Sequence, residues 1–367
     1  VKIEALSSNY TLYGDMSARI MAIVRMYAPR VEVYSIDECF CDLTGMEQTF
    51  DLKQWGEDLA ARIKKWVGMP VSIGIGPTKT LAKVASRYAK TYAGYNKCCV
   101  IDTDGKRRKA LSGFPIGKVW GIGRAYVSKL ESYGCRTALD VADKPQGWIR
   151  MLFPLPFENT WSELNGVSCI DTAEVRDKKS ICTSRSFPGM ITDREALRTH
   201  ISNYASRCAE KLRRQHSVCN IMTVFIATNW FRKDLERYQG MINVTMHTAS
   251  SNTTELVAAA SGALDRLYHQ GLSYKRAGVI VSGITPDNAV QLDMFESDVE
   301  RRKRLDSISR TADSINRRMG TETVVLAAQQ YPADPKTGKA PHFKDAILHN
   351  LRTPCYTTNL HDIITVD

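Results

Sequence analysis

Apolar residues recur at helical spacing through the first quarter of the chain, with short β-rich runs between the helical stretches. Residues 14–27 carry apolar side chains three and four positions apart on one face, and Pro29 is expected to end that helix. The elements predicted after it are a strand at 31–36, a helix at about 52–67, a strand at 71–75 and a helix at about 78–90. This alternation predicts one α/β domain over residues 1–105.

From Lys106 onward the strand signals disappear, and residues 106–178 predict short helices separated by glycine. A second α/β pattern begins near residue 180, and its elements follow the order βαββαβ. In its long amphipathic helix the side chains predicted to face inward are Leu197, Ile201, Tyr204, Cys208 and Leu212, and those predicted to face outward are Arg198, Arg207, Lys211 and Arg214. This order predicts one sheet with two helices on one face, over residues 179–285.

The last part of the chain has weaker patterns. Residues 286–299 are polar and predict a linker, and residues 300–367 show weak periodicity. The predicted fold class is therefore α+β with several domains.

Charge adds a class of partner to this picture. Lys and Arg outnumber Asp and Glu by 50 to 39, a formal net charge of +11, which favours a polyanionic partner such as nucleic acid. No apolar run approaches the roughly 18 residues of a membrane span, and the start VKIEALSSNY lacks a signal-peptide pattern. The predicted location is the cytoplasm, without a membrane partner.

The ten cysteines are scattered through a large chain with no CxxC repeat, which predicts reduced thiols rather than a disulfide framework. Cys39 and Cys41 could join Cys98 and Cys99 in a zinc site, but CxC and CC spacings fit zinc geometry poorly.

The stretch VEVYSIDECFCDLTGM places Asp37 and Glu38 side by side in an apolar, β-branched run. Unpartnered burial of two carboxylates would be costly, and neighbours in a regular strand point to opposite faces. A hairpin with this pair at or beside its bend would bring two hard oxygen donors together, as a Mg²⁺ site requires. The alternative is a solvated hairpin end with two surface acids.

The stretch SIGIGPTKTLAK, residues 72–83, has the strand, glycine-rich loop and helix of a phosphate cradle. A Walker ATPase is disfavoured because Thr78 stands before Lys79 where that motif demands glycine. The glycines would equally well allow strand and helix to pack closely. Lys83 and Lys90 lie two turns apart on one helix face and could meet a phosphate chain, or be solvated lysines.

The stretch WGIGRAYVSKL predicts a Gly-Ile-Gly turn that opens a helix. Backbone N–H groups at Gly121 and Gly123 could hold a DNA phosphate, with added charge from Arg124 and Lys129. A plain helix–helix turn is the alternative.

The pentapeptide QLDMF lies in the polar linker, where its apolar residues have no obvious core. A peptide that docks in a partner's apolar pocket is one interpretation, and packing back on the preceding domain is the other. The candidate docking residues are Gln291, Leu292, Met294 and Phe295.

Taken together, these stretches resemble the Y-family of lesion-bypass DNA polymerases, and within it the UmuC family, the catalytic subunit of bacterial DNA polymerase V. YSIDECFCDLTG resembles that family's second metal motif, GIGPTKTLAK its palm strand and helix, and VWGIGR its helix-hairpin-helix thumb. QLDMF is similar to the family's clamp-docking pentapeptide, and the end TPCYTTNLHDI to its C-terminal part. The order and spacing agree over nearly the whole chain.

The resemblance implies a fold of five parts. They are a partial palm at 1–105, a thumb at 106–178, a little-finger DNA-binding domain at 179–285, a linker with the clamp motif at 286–299 and a UmuC-type C-terminal region at 300–367.

It also implies a chemistry. Asp37 matches the aspartate that bridges two Mg²⁺ ions, Glu38 the carboxylate near the primer 3′-OH, and Lys90 a lysine on the triphosphate of the incoming dNTP. The implied activity is error-prone translesion synthesis on primer–template DNA in the SOS response. The implied partners are the sliding clamp, a UmuD-type accessory dimer and a recombinase filament.

One departure from the family pattern concerns its first motif, an N-terminal strand with an aspartate and a Phe-Tyr-type pair, followed by the fingers. Roughly the first 60 family residues are missing by this comparison, which predicts half a metal site. A non-catalytic DNA- and clamp-binding protein is therefore a second hypothesis. A nuclease is disfavoured because all seven histidines lie at residue 200 or later, far along the chain from Asp37.

Overall fold

The computed structural model of the protein describes residues 6–170, 177–288, 290, 299–320, 322–330, 353–359 and 362. Its contacts divide the chain into two units. The first comprises Val1–Val175 with Leu351–Asp367, and the second comprises Arg176–Asn350.

The first unit begins with the predicted alternation of helix and strand. Its elements are α1 (Tyr10–Tyr27), β1 (Arg30–Val33), β2 (Cys39–Asp42), α2 (Leu52–Val67), β3 (Ile73–Ile75), α3 (Lys79–Thr91) and β4 (Cys98–Val100). β1 pairs antiparallel with β2, and β3 pairs parallel with β4. The predicted helices are confirmed, whereas β4 was not predicted because its three residues show no measurable alternation.

Helix α2 illustrates why the helical predictions hold. Trp55, Leu59 and Ile63 lie four apart and are all buried. Asp51 caps the first turn by accepting hydrogen bonds from the N–H groups of Lys53 and Gln54.

The predicted short helices follow. They are α4 (Asp104–Ser112), α5 (Arg124–Ser132), α6 (Ala138–Ala142), α7 (Gln146–Leu152) and α8 (Leu155–Leu164). Their buried side chains form one core with Leu81 and Val84 of α3. The core therefore continues across residue 105, and the division of palm from thumb at that residue stays a prediction.

The second unit has the predicted βαββαβ order. Its elements are β5 (Ile181–Ile191), α9 (Arg194–Arg214), β6 (Ser217–Thr228), β7 (Gln239–Ser250), α10 (Thr253–Leu267) and β8 (Tyr274–Pro286). The strands form one antiparallel sheet in the order β5-β8-β6-β7. The five inward-facing residues predicted for α9 are all 0–1% exposed and share a core with α10 and the sheet.

Helix α11 (Val299–Met319) was missed by the sequence analysis. It packs on the second unit through Arg213 of α9, whose guanidinium holds the carboxylate of Asp313 at 2.6 and 2.7 Å. Residues 353–359, by contrast, contact the first unit, where the Nδ2 of buried Asn9 donates to the carbonyl of Thr353 at 2.8 Å. The described parts of the region predicted at 300–367 thus fall in both units.

Candidate functional site

The Asp37–Glu38 pair lies in the five-residue bend between β1 and β2. Val33 pairs with Cys39, and the N–H groups of Tyr34 and Ser35 both donate to the carbonyl of Glu38 at 3.0 Å. The hairpin expected from the sequence is therefore confirmed. The bend is longer than the Asp37–Glu38 pair, because these hydrogen bonds already turn the chain at Tyr34.

Both carboxylates are exposed, so the concern that a core strand buries them was wrong. They lie in the bend rather than in the paired strands, and the four residues of β2 that follow are half-buried. Asp37 accepts a hydrogen bond from the hydroxyl of Ser35 at 2.5 Å. The two acids therefore share one exposed bend.

Glu38 is tied to α3. The ammonium of Lys83 donates to both of its carboxylate oxygens, at 2.9 and 2.8 Å. One turn earlier on the same helix, the ammonium of Lys79 pairs with Glu32 of β1 at 2.5 Å. Two lysines of one helix face thus hold the hairpin.

An aromatic cluster of Tyr34, Phe40 and Trp120 joins the hairpin to the segment before α5. The indole N–H of Trp120 donates to the hydroxyl of Tyr34 at 3.2 Å, and the Phe40 and Trp120 ring centroids lie 5.5 Å apart. The Lys83 ammonium lies 5.2 Å from the centroid of Tyr34 and 5.6 Å from that of Trp120. This cluster was not predicted from the sequence. Its sequence signal is weak, because it consists only of an aromatic residue on either side of the carboxylate pair and one before the Gly-Ile-Gly turn.

The first turn of α3 does not present a free phosphate cradle. The carboxylate of Glu163, which is fully buried, accepts hydrogen bonds from the N–H groups of Thr80 at 2.8 Å, Cys169 at 3.1 Å and Ile170 at 3.2 Å. This carboxylate takes the place that an anion would have at the helix N-terminus.

The glycine-rich loop before α3 serves packing. A Cβ at Gly74 would lie 2.1 Å from the carbonyl oxygen of Ala82, so only glycine lets β3 approach α3 so closely. The packing alternative for these glycines is therefore confirmed.

Lys90 lies exposed in the last turn of α3, seven residues after Lys83. Its predicted contact with a triphosphate stays a prediction. Lys83, named as a possible phosphate contact beside it, is instead engaged with Glu38.

The predicted Gly-Ile-Gly turn is present, with Gly121 at φ +88° and Gly123 as the N-cap of α5. Gly121, Gly123 and Arg124 are exposed. The ammonium of Lys129 donates to the carbonyl of Leu152 at 2.6 Å, so it is engaged within the helical region. The predicted DNA contacts of all four residues stay predictions.

The clamp motif, residues 291–295, lies outside the described residues. Within the part of the chain that the structure describes, no group of three or more His, Cys, Asp or Glu residues could hold a metal ion, which leaves the zinc alternative without support. A hydrogen bond between the Cys39 and Cys41 thiols lowers the pKa of Cys39 and, with burial, raises that of Cys41. All ten cysteines are free thiols, as predicted.

Among the described residues of the second unit, no helix covers one face of the sheet. Val224 and Val279 face the helices and are fully buried, so Thr223 and Phe225 face the opposite side. There the guanidinium of exposed Arg276 lies 5.6 Å from the ring centroid of Phe225. This open face combines polar, aromatic and cationic groups.

Comparison with known proteins identifies the family. Residues 2–87 match the model described as the impB/mucB/samB family, and residues 178–294 match that family's C-terminal domain. The chain is 34% identical to the protein UmuC of Salmonella typhimurium strain LT2, over 99% of this chain and 84% of that protein. The chain belongs to the UmuC-like branch of the Y-family of DNA polymerases.

A further relative agrees with this family membership, and a solved structure shares the fold. The protein ImpB of Salmonella typhimurium is 34% identical to this UmuC-like chain, over 99% of the chain and 83% of that protein. A solved Y-family DNA polymerase chimera of Dbh and Dpo4 has the same fold, with a TM-score of 0.59, 20% identity and coverage of 76% of this chain and 78% of that one.

The Y-family consists of DNA-directed DNA polymerases, so the UmuC-like chain is one by family. Residues 306–366 match a domain of unknown function. Among the described residues, no helix has the length and apolarity needed to span a bilayer.

Proposed function

We propose that this chain carries out error-prone translesion DNA synthesis in the SOS response to DNA damage. The observation that carries the proposal is the β1–β2 hairpin, which presents two adjacent carboxylates on one exposed bend beside the lysine-bearing face of α3. Membership of the UmuC-like family supports the same activity.

In this proposal the first unit provides the palm (residues 1–105) and the helix-hairpin-helix thumb (residues 106–178). The second unit provides the little finger (residues 179–285). Two features support these assignments: the hairpin and α3 form one framework, and the second unit has the βαββαβ sheet with one open face.

Asp37 and Glu38 would hold two Mg²⁺ ions, and their donor chemistry fits this role. Mg²⁺ prefers oxygen ligands and is often held by one or two carboxylates together with substrate phosphates, and the bend offers two exposed carboxylates. When bound, the ions would lower the pKa of the primer 3′-OH and stabilise the leaving pyrophosphate.

Side chains of the bend and of α3 would orient the two carboxylates and the incoming dNTP. Ser35 fixes one oxygen of Asp37 through its hydroxyl, and Lys83 holds both oxygens of Glu38, so each carboxylate has a defined direction. Lys90, exposed at the end of α3, would bind the triphosphate of the dNTP as a mobile cation.

Primer–template DNA would be held at two places. The backbone N–H groups of the exposed residues Gly121, Gly123 and Arg124, at the start of α5, would contact the phosphate backbone, since a helix N-terminus favours anions. The open sheet face of the second unit would grip the duplex with Arg276 and its polar neighbours.

The proposed protein partners are the sliding clamp, a UmuD-type accessory dimer and a recombinase filament. Gln291, Leu292, Met294 and Phe295 would dock on the clamp. Alanine at Leu292 and Phe295 should weaken binding to the ring, and unchanged binding would exclude this docking.

A second function, a non-catalytic DNA- and clamp-binding protein, is favoured by one observation. The described residues offer only a pair of carboxylates at the site, without a third metal-binding group. Primer extension by this chain with Mg²⁺ and dNTPs, on undamaged and abasic templates, separates the two functions. Incorporation on both templates is the result expected for a translesion polymerase. Tight DNA binding without incorporation would overturn the proposal in favour of the non-catalytic protein.

A further inference from the structure

Lys83 occupies a position between the candidate metal ligands and the aromatic cluster. Its side chain is 24% exposed, its ammonium contacts both oxygens of Glu38, and the rings of Tyr34 and Trp120 lie within 6 Å. The ammonium is therefore held from two sides, by a carboxylate and by aromatic faces.

These contacts act differently on the lysine. An ion pair between partly exposed side chains contributes little by itself, because water and salt screen it. The faces of Tyr34 and Trp120 attract the cation independently of the carboxylate. The rings therefore keep the ammonium beside the bend even when Glu38 takes another partner.

A metal ion needs the same oxygens. Lys83 already donates to Oε1 and Oε2 of Glu38, and its positive charge would lie within a few ångströms of any divalent cation on that carboxylate. The lysine orients Glu38 before metal arrives and repels the metal once it is there.

We propose that Lys83 is a positioning residue that serves as the resident counter-ion of Glu38 and competes with a divalent cation for its carboxylate. This inference rests on the proposed metal-binding role of the bend and adds a regulator of metal occupancy to it. The aromatic cluster retains Lys83 at the site, so that the ammonium returns to Glu38 when the metal leaves.

The chain contains a matched control for this idea. Lys79 lies one turn earlier on α3, pairs with Glu32, and has its ammonium 5.2 Å from the ring centroid of Phe40. It has the same type of carboxylate and aromatic contacts, but Glu32 lies in β1 and not in the bend. Removing its charge should leave metal binding at the bend nearly unchanged.

The test is a titration of the full chain, bound to primer–template DNA at low salt, with Mn²⁺ followed by electron paramagnetic resonance. Lys83→Met should tighten Mn²⁺ binding about fivefold, because a unit charge close to the ion is removed. Lys83→Arg should bind Mn²⁺ like the original chain, and Lys79→Met should stay within about twofold of it.

Glu38→Gln provides the second arm. It should weaken Mn²⁺ binding, and adding Lys83→Met to it should tighten binding by clearly less than fivefold, because the competition for the Glu38 carboxylate is gone and only the repulsion by the ammonium charge is removed. If Lys83→Met does not fold, as judged by circular dichroism, Lys83→Gln takes its place with the same expected result.

Unchanged or weaker Mn²⁺ binding in Lys83→Met, together with a loss in Glu38→Gln, would overturn the role of Lys83 and leave the metal site standing. If Lys83 contributed only to folding, its replacement would not tighten Mn²⁺ binding, and this is the outcome expected in that case. If neither Glu38→Gln nor Asp37→Asn alters Mn²⁺ binding, the metal site of the proposed function fails, and the competition fails with it.

Discussion

The side chain of Glu163 determines what the first turn of α3 binds. Its buried carboxylate accepts hydrogen bonds from three backbone N–H groups, which belong to two segments of the chain. This contact leaves no local signal in the sequence, because Thr80 and Glu163 lie 83 residues apart. The sequence pattern of strand, glycine-rich loop and helix is compatible with a bound phosphate at the helix N-terminus. It is equally compatible with a carboxylate of the same chain at that place.

Glu163→Ala should therefore destabilise the first unit by about 3 kcal/mol, since buried N–H groups would lose their acceptor. Urea unfolding followed by tryptophan fluorescence measures this, because five of the six tryptophans precede residue 176. Glu131→Ala, an exposed acid on α5, is the control and should stay within about 0.5 kcal/mol. Equal stability of the two variants would show that the buried carboxylate is dispensable.

The lowered pKa of Asp140 predicts that the stability of the first unit depends on pH. Hydrogen bonds from the backbone N–H groups of Thr137 and Arg136 lower the pKa of Asp140 below its ordinary value of 3.8. A lowered pKa in the folded state means that the ionised group stabilises the fold above pH 3.8, and that this contribution is lost as the pH falls through the folded-state pKa.

Asp140 is the third residue of α6 and forms a capping box with Thr137, the N-cap residue, so Asp140→Asn should cost about 1 kcal/mol at pH 7. The difference in unfolding free energy between Asp140→Asn and the original chain should narrow as the pH falls below about 4, where the aspartate takes up a proton. Urea unfolding at pH 7 and pH 3 checks this, and a difference independent of pH would exclude the ionised cap.

At the scale of elements, the helices and the βαββαβ order could be predicted because their signal is local. Trp55, Leu59 and Ile63 in α2 repeat every four residues and face the core. The pairing of β1 with β2 was also predictable, since the two strands are neighbours in sequence. The bend between them was not, because its length depends on hydrogen bonds to the Glu38 carbonyl.

Helix α11 was not predicted, because its local hydrophobic pattern is weak. Its apolar residues are sparse among charged and polar ones. Leu305, Ile308, Ala312, Ile315 and Met319 follow helical spacing, but Ile308 and Met319 are exposed. What holds the helix is a contact between elements. Arg213 is buried, binds Asp313 with two hydrogen bonds and donates to the carbonyl of Ser251.

Asp313→Ala should release α11 and destabilise the second unit by about 3 kcal/mol, because a buried guanidinium would lose its charged partner. Limited proteolysis within α11, together with urea unfolding, measures both effects. Glu300→Ala removes the exposed pair with Lys303 and should change neither. Should the two variants behave alike, the Arg213–Asp313 pair does not anchor the helix.

At the scale of the whole molecule, a net charge of +11 predicted a polyanionic partner but not its location. The open sheet face and the first turn of α5, which lie on separate units, are the two locations proposed for it. The position of the aromatic cluster at the site was likewise not predictable from the sequence. Tyr34 and Trp120 are 86 residues apart, so only the fold brings them together around Lys83.

DNA affinity should fall steeply between about 50 and 200 mM salt, because phosphate contacts release counterions. Arg276→Ala on the open sheet face should weaken binding and reduce the slope of log K against log salt by about 1. Arg214→Ala, an exposed arginine at the end of α9, is the control for lost charge. Fluorescence anisotropy with labelled primer–template DNA gives both slopes. Identical slopes for the two variants would remove the sheet face from the DNA interface.

The most direct test of the central claim is the rate of single-nucleotide incorporation on primer–template DNA with Mg²⁺. Asp37→Asn and Glu38→Gln should each lower the rate by about 100-fold or more, since each removes a charge at the reacting centre. Asp58→Asn, an exposed acid on α2, should incorporate at the original rate. Incorporation by Asp37→Asn and Glu38→Gln at the rate of Asp58→Asn would contradict the claim that the β1–β2 bend carries the catalytic carboxylates.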